Sequence, residues 1–67
     1  MVKVTSIKHP INGEAIITGF ADAQADVGPS MQIEGLPEGV KIAYGSSIIT
    51  AKGEIAFLKS DGTWNWV

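Results

Sequence analysis

Three short apolar segments between Ser46 and Val67, separated by two glycine turns, constrain this chain more than any other feature. Ser46-Ser47-Ile48-Ile49-Thr50-Ala51 meets a turn at Lys52-Gly53. Glu54-Ile55-Ala56-Phe57-Leu58-Lys59 follows, then a turn at Asp61-Gly62, then Thr63-Trp64-Asn65-Trp66-Val67. β-Branched and aromatic runs bounded by turn residues at this spacing predict three antiparallel strands joined by tight hairpins. The fold class that follows is all-β: a small antiparallel sandwich or partly open barrel ending in a three-stranded meander. Residues 1–67 make one domain.

The hairpins also predict a register. With Asp61-Gly62 central in a two-residue turn, Lys59 faces Trp64 and Phe57 faces Trp66. With Lys52-Gly53 central in the other, Thr50 faces Ile55 and Ile48 faces Phe57. One face then carries Ile48, Ile55, Phe57, Trp64 and Trp66. The other carries Ile49, Ala56, Leu58 and Val67. Both faces are apolar, which a sheet with one face in water does not need.

The preceding residues give weaker signals of the same kind. Val2 to Ile7 alternates with period two and predicts a first strand. His9-Pro10-Ile11-Asn12-Gly13 is a turn cluster, with Asn12-Gly13 a hairpin signal. Glu14 to Phe20 predicts a second strand, in which Gly19 marks a bulge or a close backbone approach. Residues 21–29 read as a loop or a single turn, because six residues of helical composition cannot sustain a helix. Ser30 to Gly35 and Val40 to Tyr44 predict two more strands around a turn at Leu36 to Gly39.

Size and composition point to assembly. In 67 residues the gain from burial and the cost of ordering the chain nearly cancel, so a lone monomer is marginal. The usual staples are missing. There is no cysteine and one histidine, His9, which excludes disulfides and Cys- or His-rich zinc sites. Partner subunits remain as the source of extra burial, either as a homo-oligomer or on a larger assembly. Five lysines, no arginine and seven acids speak against nucleic-acid binding. Met1 to Lys8 shows no apolar signal-peptide core, and no apolar run approaches the ~20 residues of a membrane span.

Catalytic chemistry finds no footing in the residues. His9 precedes a proline in a turn, with no nucleophile or acid at a telling spacing, and reads as a solvent-facing residue. Asp22, Asp26, Glu34, Glu38 and Glu54 are scattered, and two carboxylates do not make a metal cage. No cofactor, metal or enzymatic role is expected. Trp64 and Trp66 share a strand face about 7 Å apart. They suit either cross-strand packing at a core or subunit interface, which is the favoured reading, or a platform for carbohydrate or peptide. Tyr44, Phe57, Trp64, Trp66 and Val67 are the candidate partner interface.

From about residue 36 the chain resembles the small virion-associated structural proteins of tailed bacteriophages. The likeness rests on Gly45-Ser46, the apolar strand, Gly53-Glu54, Phe57 and the run from Asp61 to Trp64. The family's more usual Asp-Thr-Gly-Lys before a Tyr strand is here Thr50-Ala51-Lys52-Gly53-Glu54, with Phe57 at the Tyr position. The resemblance implies a non-enzymatic subunit of a phage particle, located in the virion. It would be a capsid-decorating or head-associated protein with the major capsid protein as partner.

Overall fold

The computed structural model describes residues 1–8 and 12–67, so the expectations for His9 and Pro10 fall outside the described residues. Eight strands form: β1 (Val2–Ile7), β2 (Glu14–Ala15), β3 (Ile17–Ala21), β4 (Ile33–Glu34), β5 (Lys41–Ile42), β6 (Ser47–Thr50), β7 (Ile55–Leu58) and β8 (Trp64–Trp66). A single 3-10 turn, Gln24–Asp26, lies between β3 and β4. The fold is all-β, as the sequence predicts, and the chain closes on the expected meander.

Six strands make one sheet in the order β4-β1-β3-β6-β7-β8, and β2 and β5 pair separately. The sheets are mixed, not purely antiparallel. β1–β3, β6–β7 and β7–β8 run antiparallel, whereas β1–β4, β2–β5 and β3–β6 are parallel. The parallel pairs arise where long connections return the chain in its starting direction, which tight hairpins cannot do. The predicted second strand divides at Ile16. Its first two residues leave β1 to pair with β5, and the rest continue along β1.

The core lies on one face of the large sheet. Val2, Ala21 and Ile48 are fully buried there, with Val27, Met31, Ile33 and Trp64 packed around them. Gly19 is needed at this point because β1 and β6 approach it closely. A Cβ on Gly19 would sit 3.1 Å from Val2 Cγ1 and 3.2 Å from the Lys3 carbonyl. Of the two readings of Gly19, close approach is the one realised; the bulge falls on β1, between Val4 and Ser6.

Ser46, fully buried, ties the small sheet to the large one. Its Oγ accepts the Ile17 N–H at 2.9 Å and donates to the Ala43 carbonyl at 2.6 Å. The hydroxyl thus satisfies two backbone groups at the point where β2 and β3 part, where a ladder bond is missing.

Both hairpins of the meander have three-residue loops, one residue longer than the sequence reading assumed. Gly53 N–H donates to the Thr50 carbonyl and Thr50 N–H to the Glu54 carbonyl. Gly62 N–H donates to Lys59 and Lys59 N–H to Thr63 in the same way. Each loop ends on a glycine with positive φ, +83° at Gly53 and +88° at Gly62, while Lys52 and Asp61 stay at negative φ. That is a type I turn closed by a left-handed glycine. The register therefore differs by one residue in both hairpins. Ile48 faces Ala56, Ile49 faces Ile55, Leu58 faces Trp64 and Ala56 faces Trp66. Because both shifts fall on β7, β6 and β8 keep their expected relation and only the middle strand turns over.

Candidate protein-docking face

The turned-over β7 decides what the outer face of the sheet carries. Following the strand pairings across that face gives two rows. The first runs Glu34, Lys3, Phe20, Ile49, Ile55 and then Val67, whose N–H donates to the Ile55 carbonyl at 2.9 Å. The second runs Ser6, Thr18, Ser47, Phe57 and Asn65. Neighbouring strands lie about 4.8 Å apart, so the apolar members of the first row touch side by side, with Phe57 beside them in the second.

This surface is open. Phe20 is 38%, Ile49 41% and Phe57 42% exposed. The small sheet and the loop before β4 pack on the opposite face. By contrast the buried apolar residues are Val2, Ala15, Ile17, Ala21, Ile48 and Ala56, none larger than isoleucine. Both phenylalanines of the chain thus stand on the uncovered side, while alanines fill the interior. The exposed parts of Phe20, Ile49, Ile55, Phe57 and Val67 amount to a few hundred Å², the size at which an apolar patch is often a working surface. The chain as a whole exposes 4535 Å², about a tenth more than the ~4,100 Å² that its mass implies. Its radius of gyration is 10.8 Å, which matches the ~10.9 Å of a compact chain of this length. The excess surface is not a sign of an expanded chain.

Polar groups frame the patch and set its electrostatics. Glu34 and Lys3 end the first row, and Ser6, Thr18, Ser47 and Asn65 line the second. Glu34, set beside Lys3 at the far edge, is the side-chain carboxylate of these rows. Beyond the patch, Glu54 closes the β6–β7 hairpin by accepting from the Gln24 side-chain amide and from Thr50 Oγ1. Asp61 closes the β7–β8 hairpin, accepting from Thr63 Oγ1 at 2.6 Å and Thr63 N–H at 3.0 Å. Those two bonds, the side-chain one first, hold the Asp61 carboxyl below the usual carboxylate range.

The five candidate interface residues fall in three places. Phe57 and Val67 stand on the outer face. Trp64 and Trp66 are half-buried on the inner face, with Trp64 against the core cluster. Their partners across β7 are Leu58 and Ala56, so the expected contacts of Trp64 with Lys59 and of Trp66 with Phe57 do not form. Tyr44, 68% exposed, lies in the turn before β6, lining a depression with Ile7, Glu14 and Ile16. Phe20 and Ile49 were not singled out by sequence, yet they hold the centre of the first row. Among the described residues no three acidic, histidine or cysteine side chains gather as a metal site, and no helix is long and apolar enough to cross a membrane. Comparisons with family models, with curated proteins and with solved structures find no match for the chain.

Proposed function

We propose that this chain is a non-enzymatic structural subunit that attaches to a larger protein assembly through the outer face of its sheet. The observation that carries this reading is the placement of Phe20 and Phe57. Both are partly exposed beside Ile49 and Ile55, on a chain whose fully buried apolar residues are none larger than isoleucine. Burying such a row against a partner contributes about 25 cal/mol per Å² of apolar area, a gain that a marginal small domain needs. The polar rim fits a surface that is apolar at its centre and hydrated at its edge. The resemblance of residues 36 to 67 to virion-associated proteins makes a phage particle the proposed assembly, with the major capsid protein beneath the patch and the virion as the location.

Quantitative mass spectrometry of purified particles from cells that make the protein tests this. The expected result is a fixed stoichiometry relative to the major capsid protein that survives repeated sedimentation. Absence from the particles, or loss on washing, overturns it.

A further inference from the structure

The large sheet has two edges, and they are not alike. β4 is two residues long, carries Glu34 and runs into Gly35 and Pro37. Short length, charge and proline are ordinary protections of a sheet edge. β8, three residues long, is also short but lacks the charge and the proline. Its sequence, Trp64-Asn65-Trp66, holds no charge, no proline and no bulge.

The hydrogen-bonding direction of β8 follows from its ladder. Lys59 N–H donates to Thr63 and Val67 N–H to Ile55. Thr63, Asn65 and Val67 therefore direct their backbone groups at β7. Antiparallel alternation turns the N–H and C=O of Trp64 and Trp66 outward. Among the described residues, none of the backbone hydrogen bonds outside the ladders ends on either residue.

We infer that β8 pairs antiparallel with β8 of a second copy of this chain, about a twofold axis through Asn65. The strand is its own complement in this register. Trp64 faces Trp66 of the second copy, and each outward N–H meets an outward C=O, giving four backbone hydrogen bonds with no slip. Asn65 faces Asn65 of the second copy on the outer side, and the carboxamide is a side chain that both donates and accepts. On the inner side the indoles meet as cross-strand aromatic pairs. No charge lies on the strand to repel its copy. A twofold contact requires such self-complementarity, and a partner of different sequence does not explain it. The pairing joins two outer faces into one continuous surface and does not depend on what that surface binds. A three-residue edge buries less than the ~1,200 Å² of a stable complex, so the dimer is weak, with a Kd above about 1 μM.

Sedimentation equilibrium on the full chain, up to about 1 mM in the range such a Kd requires, tests the inference. Wild type is expected to rise to twice its monomer mass. Asn65→Lys and Asn65→Glu, both at an exposed position, are each expected to stay monomeric with unchanged near-UV circular dichroism, and their equal mixture to regain the dimer. Ile49→Lys is expected to dimerise like wild type. Amide exchange supplies a second readout: Trp64 and Trp66 amides slow at least tenfold with rising concentration in wild type and not in Asn65→Lys. A wild type that stays monomeric at the highest concentration overturns the inference. So does an Asn65→Lys dimer as tight as wild type, and so does dissociation by Ile49→Lys in place of Asn65→Lys.

Discussion

On the inner face of the sheet Val2, Gly19, Ala21, Ile48 and Ala56 are packed out of water, and every one is small or aliphatic. One residue along the same strands, Phe20, Ile49, Ile55 and Phe57 form the outer face, larger in volume and partly exposed. Composition does not separate the two faces. What separates them is coverage: the small sheet and the loop before β4 close one side and leave the other. The aromatic residues divide between the faces: Trp64 and Trp66 are half-buried on the inner one, and Phe20 and Phe57 stand on the outer one. The difference teaches that the inner face maintains the fold and the outer face is available for a partner.

The sharpest way to break this comparison is a pair of adjacent truncations on β6. Ile48→Ala removes a fully buried side chain and is expected to cost about 2–5 kcal/mol. That corresponds to a fall in Tm of about 10 °C or more for a domain of this size. Ile49→Ala, on the other face, is expected to cost less than about 1 kcal/mol. Urea titration of both variants checks the contrast, and equal losses would contradict it. Next in size is Ser46→Ala, which strands the Ile17 N–H inside the protein, while the Ala43 carbonyl keeps the backbone N–H of residue 46. The expected cost is about 1–3 kcal/mol, with early amide exchange at Ile17 as its local signature.

The register on which both faces rest can be tested through its turns. Gly53→Ala and Gly62→Ala place a side chain at positive φ and are each expected to cost about 1–2 kcal/mol. Strong cross-strand Hα contacts between Ala56 and Trp66 in NMR spectra would support the pairing directly. Contacts between Phe57 and Trp66 in their place would restore the shorter turns.

The smallest effect concerns acid. The Thr63 hydroxyl and N–H favour the Asp61 carboxylate, so its folded pKa lies below the unfolded value near ~3.9. A depressed carboxyl contributes stability that is present above the unfolded pKa and is lost as pH falls through the folded one. Asp61→Asn is therefore expected to lower stability slightly at neutral pH and to flatten the acid limb of a pH–stability profile below about pH 4.

Much of the fold was legible because strand alternation and turn residues are local signals. Val2–Ile7 and the three strands of the meander stand where periodicity puts them, and beyond Ala21, which ends β3, residues 22–29 hold only a single 3-10 turn. The parallel pairs were hidden, since nothing in Ile17–Ala21 or Ser47–Thr50 says that these two segments meet. The identity of the outer face turned on one residue of loop length. Lys52-Gly53 and Asp61-Gly62 are equally compatible with two- and three-residue turns, and the choice inverts β7. A non-glycine residue at the first central position of a two-residue loop must take positive φ. Lys52 is a poor candidate for that conformation, so a signal was present at the first hairpin, whereas Asp61 tolerates it and gave none at the second. Phe57 and Val67, read from the sequence as interface candidates, lie on the outer face, while Phe20 and Ile49 were not singled out because only the β3–β6 pairing brings them beside Phe57.

Hydroxyl-radical footprinting of the phenylalanines, free and bound to purified particles, tests the central claim most directly. Phe20 and Phe57 are expected to react readily in the free protein and to be protected on the particle, while Val2 and Ile48 stay unreactive in both. Equal reactivity of the two phenylalanines in both states, or their protection in the free chain, would contradict the account.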